Sequence, residues 1–233
     1  MTNLKKWLLF CAAFSIVFLL LVSLGSHTVT VISESMPILR KHTFVLDAGH
    51  GGVDGGTTSC TGRLESSYNL EITQRLNDLF VLLGYDTLMI RNSDVSVYTK
   101  GETIAQKKVS DLKERVRLVN ETQNALLVSI HQNHFSDSRY NGAQVFYPKT
   151  PGSEDLAKQL QSALVSNLNP GSRRAAKKSE GIYLLEHINC TGVLIECGFL
   201  SNPGEEYNLS QKEYQQKLCT IIAATLIEHL TEM

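Results

Sequence analysis

The sequence predicts an α/β fold built on parallel strands, and three stretches predict it. Phe44-Val45-Leu46 runs into Asp47-Ala48-Gly49 and then His50. Leu126-Leu127-Val128-Ser129-Ile130 runs into His131, and Val193-Leu194-Ile195 runs into Glu196 before Cys197-Gly198-Phe199. Each is a short apolar run closed by small or polar residues, the pattern of a buried strand leaving a sheet. Ligands of open α/β sheets bind outside the carboxyl ends of the strands. Parallel pairing of these three runs would therefore gather His50, His131 and Glu196 on one rim.

The chain has 233 residues, 42% hydrophobic and 19% charged, enough for one domain with a proper core. A formal net charge of -1 gives no global basic field, so no nucleic acid partner is expected. The five cysteines, at 11, 60, 190, 197 and 219, form no CxxC pair. Neither a disulfide framework nor a thiolate zinc finger is implied, and they read as small buried hydrophobes. Trp7 to Leu24 is an uncharged apolar run behind Lys5 and Lys6, longer than the roughly 7 to 15 residues of a signal-peptide core. The lysines keep the amino terminus inside, so the remainder would be exported to the outer face of the membrane. Residues 1–27 read as a signal anchor in preference to a cleaved signal peptide, 28–41 as a tether, and 42–233 as a catalytic domain.

The first strand is followed by a glycine-rich loop, Gly51 to Gly56, which lacks the spacing of a phosphate cradle. Ile72, Leu76, Leu79, Phe80 and Leu83 then recur at helical spacing until Gly84, which puts Glu65 at or near a helix start. Tyr85 to Ile90 is a second strand, completing a right-handed strand–helix–strand unit. Asn92 to Ser110 reads as a long surface loop. Asp111 and Glu114 form a capping-box pattern for a helix buried through Leu112, Val116 and Val119. Gly142 to Tyr147 is a strand closed by Pro148, and Leu156, Leu160, Leu164 and Leu168 mark an amphipathic helix. Asn169 to Ser179 reads as a loop whose Arg173, Arg174, Lys177 and Lys178 are solvated. Gly181 to Leu185 is expected to be a short strand, and Ser210 with Glu213 is expected to cap a last helix bearing Leu218, Ile221, Ile222 and Leu226.

His50, Glu65 and His131 taken together suit zinc: two imidazoles and a carboxylate, with a fourth position left for water. Glu196 is the candidate to take a proton from that water and pass it to a leaving nitrogen. Alternatives stay open at this level. Glu65 is a first-turn carboxylate that the helix dipole favours in any case, and Glu71 is as good a donor. His134 competes with either histidine as a ligand. His42, His187 and His229 lack a strand-exit position and read as structural or solvent-facing.

Leu46-Asp47-Ala48-Gly49-His50-Gly51-Gly52, Glu65 with Asn69-Leu70, Ser129-Ile130-His131-Gln132-Asn133, and Val193 through Asn202 together resemble the zinc-dependent N-acetylmuramoyl-L-alanine amidases, over roughly Phe44 to Leu230. The resemblance implies a mostly parallel six-stranded sheet flanked by helices. It implies one zinc ion on His50, Glu65 and His131, with Glu196 as catalytic acid and base; Asn133, beside the His131 motif, reads equally as a residue that orients substrate or a ligand and as a structural one. The implied substrate is peptidoglycan, cut between the lactyl group of N-acetylmuramic acid and L-alanine. Lys107-Lys108-Val109 to Leu112, Tyr183-Leu184-Leu185-Glu186 and the amino-terminal anchor are most similar to the germination-specific, spore-cortex members. That similarity implies cortex maturation between forespore and mother cell, with a separate deacetylase acting downstream toward muramic-δ-lactam, and leaves open an exported accessory protein. His134 departs from the family pattern, in which a small residue is commoner. Two rivals stand beside this reading: a zinc peptidase acting on the stem peptide, and a non-catalytic peptidoglycan-binding module of the same fold.

The topology is testable. A tag placed after Met233 should be reached by protease added outside spheroplasts, and the protein should sediment with membranes. A tag protected in the cytoplasm would contradict the expected orientation.

Overall fold

Strand β1, Thr43–Ala48, is buried at every residue after Thr43, as an interior strand covered on both faces must be. It belongs to a computed structural model that describes residues 42–232. The expected signal anchor and tether, with Cys11, lie outside the described residues. Among the described residues no helix is long and apolar enough to cross a membrane.

Six strands form one sheet. β1 pairs in parallel with β2 (Asp86–Met89) on one side and β3 (Ala125–Asn133) on the other. β3 pairs in parallel with β6 (Thr191–Phe199). Beyond β6 lie β4 (Gln144–Tyr147), which is antiparallel to it, and the two-residue β5 (Lys177–Lys178). The order is β2-β1-β3-β6-β4-β5, so the mostly parallel six-stranded sheet flanked by helices is observed.

Alternation along β1 divides the core between two layers. On one face α1 (Glu65–Leu82), α3 (Ser153–Leu168) and α6 (Lys212–Glu232) pack together, and Phe44 stacks on Phe80 of α1 with ring centroids 4.0 Å apart. On the other, Val45, Leu127 and Leu194 pack with Val119 of α2 (Ile104–Glu121) and with Leu184 and Leu185 of α4 (Tyr183–His187). The short α5 (Pro203–Ser210) follows β6 directly.

Several elements differ from expectation, each for a local reason. α2 begins at Ile104 and not at Asp111, because Thr103 and Gln106 form the capping box. Asp111 lies inside the helix, where its carboxylate accepts Val97 N–H at 2.7 Å and Arg115 Nε at 2.6 Å. The buried residues of α2 are Ser110, Arg115 and Val119, whereas Leu112 is exposed. The expected strand at Gly181 to Leu185 is instead the loop and helix of α4, where Glu186 Oε1 accepts the Gly181 N–H and Glu186 N–H bonds Ile182 O. Ser210 does not cap the last helix: its hydroxyl donates to Tyr207 O at the end of α5, whose own cap is Asn202 followed by Pro203. His131 and Glu196 stand within their strands and not at the exits, since β3 and β6 continue to Asn133 and Phe199. Arg174 is not simply solvated, because its guanidinium lies 4.8 Å from the Phe199 ring centroid. Cys197 and Cys219 are buried as expected, but Cys60 is exposed.

An ion pair lies under the end of β1. Asp47 and Arg115 are 1% and 2% exposed; Arg115 Nη1 donates to Asp47 Oδ1, and Ser129 Oγ donates to Asp47 Oδ2 at 2.6 Å. Burial pushes the Asp47 carboxyl up, but Arg115, with His131 and the Ser129 hydroxyl adding to it, holds the group below the usual carboxylate range. Replacing one partner strands the other charge. Arg115→Leu should lower the unfolding free energy by about 3 to 5 kcal/mol in urea titrations, and adding Asp47→Leu should restore part of the loss. A loss below about 1 kcal/mol would mean that the pair is not a structural support.

Candidate active site

His50 occupies the turn that leaves β1, in the left-handed region at φ 60°. Such a backbone is uncommon for a residue with a side chain and persists only where its surroundings fix it. Here two buried arginines fix it. Arg91 donates to Ala48 O at 2.8 Å and Gly49 O at 3.0 Å, and Arg115 donates to Ala48 O at 2.9 Å and His50 O at 2.7 Å. Gly49 is required by close approach, since a Cβ there would lie 2.2 Å from the His131 ring. Gly51, at φ 129°, adopts a conformation open to glycine, and a Cβ there would lie 2.4 Å from Val95 O.

The geometry brings together three of the expected residues. His50, Glu65 and His131 each present a ligand atom, and those atoms lie within 4.8 Å of one another. Glu65 Oε2 is 3.3 Å from His50 Nε2, and Glu65 Oε1 is 3.0 Å from His131 Nδ1. Glu65 is the first residue of α1 and is itself held by three donors: Thr57 N–H at 3.0 Å, Gln132 N–H at 3.2 Å and Asn69 Nδ2 at 3.2 Å. Asn69 sits one turn along α1 and receives Gln132 Nε2 on its oxygen at 3.3 Å. Burial pushes the Glu65 carboxyl up, yet its bonds to His131 and His50 hold it below the usual range. Burial pulls His50 down, but Asp54 and Glu65 outweigh it and raise it to about 9. A protonated imidazole thus balances the carboxylates, and a divalent cation between the same donors would supply that charge instead.

The competing donors are elsewhere. Glu71 is paired with Arg63 at 2.6 Å and accepts from Gln215. His134 is exposed and outside the group of three. His187 is exposed, and His229 is buried against Gln159, 2.9 Å from Nδ1 to Oε1. Glu196 faces His131 across the β3–β6 register. Its Oε2 is enclosed and has no hydrogen-bond partner among the described residues. Burial raises its carboxyl to about 7 against the opposing field of His131. Asn133 is part-buried, two residues beyond His131 and on the same face of β3.

Sequence reasoning missed the residues that support these groups. Asp54 Oδ2 bonds His50 Nδ1 at 2.9 Å and its other oxygen pairs with Lys108 at 2.7 Å, which fixes the imidazole with Nε2 toward Glu65. Its position four residues after His50 in a polar glycine loop was the available signal. Arg91 and Arg115 carried none, because an arginine after a strand or on a helix reads as surface.

Residues 44–228 match the family described as N-acetylmuramoyl-L-alanine amidase. The germination-specific N-acetylmuramoyl-L-alanine amidase of Bacillus subtilis strain 168 is 36% identical over 230 residues, spanning 97% of this chain and 95% of that protein. Among solved structures, the CwlD amidase of Clostridioides difficile in complex with the GerS lipoprotein is similar at 37% identity and a TM-score of 0.79, over 82% of this chain and 100% of that one. The N-acetylmuramoyl-L-alanine amidase of Clostridium difficile 630 is similar at 31% identity and a TM-score of 0.71, over 82% and 98%.

Metal content separates the three clustered residues from their neighbours. After dialysis against zinc-free buffer, the purified chain should retain about one zinc per protein. His50→Ala and His131→Ala should lose it, and His134→Ala should keep it. Zinc retained by His131→Ala and lost by His134→Ala would reverse the ligand assignment.

Proposed function

The chain belongs to the N-acetylmuramoyl-L-alanine amidase family, and from that premise we propose that it is a zinc-dependent hydrolase of the amide joining the lactyl group of N-acetylmuramic acid to L-alanine in peptidoglycan. The observation that carries this reading is the convergence of His50, Glu65 and His131 with Glu196 opposite His131. Two imidazole nitrogens and one carboxylate are a catalytic zinc donor set that leaves a position for water, and the unpartnered Glu196 Oε2 fits a site in which a further group is to be bound. Zinc, when bound, polarises a carbonyl and brings its water close to ionisation at neutral pH.

The chain's own residues supply the rest. Glu196 takes the proton of the attacking water and returns it to the L-alanine nitrogen as the amide breaks, a task suited to a carboxyl raised toward neutrality. Thr57, Gln132 and Asn69 hold the Glu65 carboxylate in place between both histidines. Asp54 accepts from His50 Nδ1 and so leaves Nε2 as the ligand atom. Asn133, on the His131 face of β3, orients the substrate.

The same reading extends to the biological setting. Similarity to a germination-specific enzyme supports action on spore cortex, where removal of the stem peptide exposes a carboxyl group for a separate deacetylase pathway to muramic-δ-lactam. Trp7 to Leu24 supports export and anchoring on the outer face of the membrane. The CwlD amidase was solved with a lipoprotein, which supports an exported accessory protein of that class here. A peptidase would use the same chemistry on another amide, and a binding module would use none.

Mass spectrometry of digested peptidoglycan decides among these. New L-alanine amino termini are expected; shortened stems would mean a peptidase. Glu196→Gln should keep its zinc and lose turnover by at least about a hundredfold. Deletion of the gene should leave division nearly normal and yield spores whose cortex lacks muramic-δ-lactam. Chains of unseparated cells with normal lactam would overturn the cortex assignment and leave the amidase chemistry standing.

A further inference from the structure

Beyond β3 the chain crosses the rim of the site and displays two aromatic rings that the proposed chemistry does not use. Phe135 and Tyr140 are 48% and 47% exposed, an unusual placement for large rings in a polar loop. They lie against each other with centroids 4.6 Å apart, and Tyr140 continues to the buried Phe199 at 6.1 Å. The loop that carries them is pinned to the turn after β6. Leu200 N–H donates to Asn133 O at 2.8 Å, Phe135 N–H to Ser201 Oγ at 3.1 Å, and Asn202 Nδ2 to Tyr140 O at 3.3 Å.

The shelf is therefore built on the ends of the two strands that carry His131 and Glu196. Asn133 lies about 7 Å from His131 by strand rise, and Phe135 is the next side chain but one. The two guanidinium groups near it already have partners. Arg139 is paired with Asp137 at 2.7 Å, and Arg174 is turned inward, donating to Asn141 O at 2.9 Å and lying over Phe199. A stem peptide carries carboxylates that call for free guanidinium or ammonium groups. A pyranose ring offers an uncharged face of C–H groups rimmed by hydroxyls and amides, which matches a half-exposed aromatic face beside a carboxamide such as Asn133.

We propose that the Phe135–Tyr140 shelf is a saccharide subsite, binding a sugar ring of the glycan strand so that the lactyl amide is held at His131 and Glu196. The proposal rests on the amidase reading, because it takes the glycan strand as the polymer presented to the site. Its test does not depend on turnover. The full chain carrying Glu196→Gln, in detergent, is titrated with peptide-free glycan strands and separately with the isolated stem peptide. The parent should bind the strands. Adding Phe135→Ala with Tyr140→Ala should weaken that binding by roughly tenfold or more, as truncation of aromatic anchors does. Phe135→Trp with Tyr140→Trp should keep it, with zinc content equal in all three. Unchanged affinity for strands in the double alanine variant overturns the proposal, as does a parent that does not bind strands, or a loss that falls on the stem peptide alone. A wild-type chain that releases no stem peptide from peptidoglycan defeats the amidase reading instead, a result that the binding titration cannot produce.

Discussion

The buried pair between Asp47 and Arg115 holds the end of β1 in place, and with it everything built on that strand's exit. β1 must end abruptly for His50 to enter the site, and its left-handed turn takes the carbonyls of Ala48, Gly49 and His50 out of the sheet ladder. Buried carbonyls need donors. Arg91 and Arg115 supply them, together with Asn69, which donates to Gly49 O at 3.1 Å. Two guanidinium groups in one interior repel each other, and burial with Arg115 nearby lowers Arg91 to about 10, still protonated at neutral pH. Asp47 and Asp111 offset that charge, each through a direct ion pair with Arg115. A turn that would be disordered in isolation thus becomes a fixed support for one imidazole.

The second support is register. His131 and Glu196 are paired residues of β3 and β6, so their side chains leave the sheet on the same face. A slip of one residue would turn Glu196 into the apolar layer and Ile195 toward the rim. Val128, Ile130, Val193 and Ile195, fully buried on the opposite face, oppose that slip, and the irregularity after His131 is confined to the strand ends. Fold and chemistry are tied together at these positions, because the apolar residues that specify the sheet also specify which polar side chains meet.

What the sequence made legible follows the same division. The central strands could be read because a short, continuous apolar run bounded by polar residues suits a strand covered on both faces, and with those strands came His50, His131 and Glu196. Glu65 was legible as a helix start but not as the partner of the histidines. Glu65 and Glu71 share one helix, and the choice between them depends on where residues 57–64 return the chain, a tertiary fact. The start of α2 was missed because its first two turns are polar or exposed, so apolar periodicity begins only after the helix has. α4 was missed because five residues are too few to show a period. The arginine clamp was invisible for a different reason: its energetics depend on being buried with a counter-charge, and sequence position carries no sign of that. The shelf of Phe135 and Tyr140 was not legible either, since two aromatics in a polar loop acquire meaning only from the strands that hold it.

X-ray absorption at the zinc edge of the purified wild-type chain would read the metal's ligand set without reference to turnover. Two imidazole nitrogens at about 2.0 to 2.1 Å, carboxylate and water oxygens at about 2.0 to 2.2 Å and no sulfur are expected if His50, Glu65 and His131 hold the metal. A third imidazole would put His134 in the site, and a sulfur shell near about 2.3 Å would put a cysteine there; either spectrum would contradict the assignment of His50, Glu65 and His131 as the metal's protein ligands.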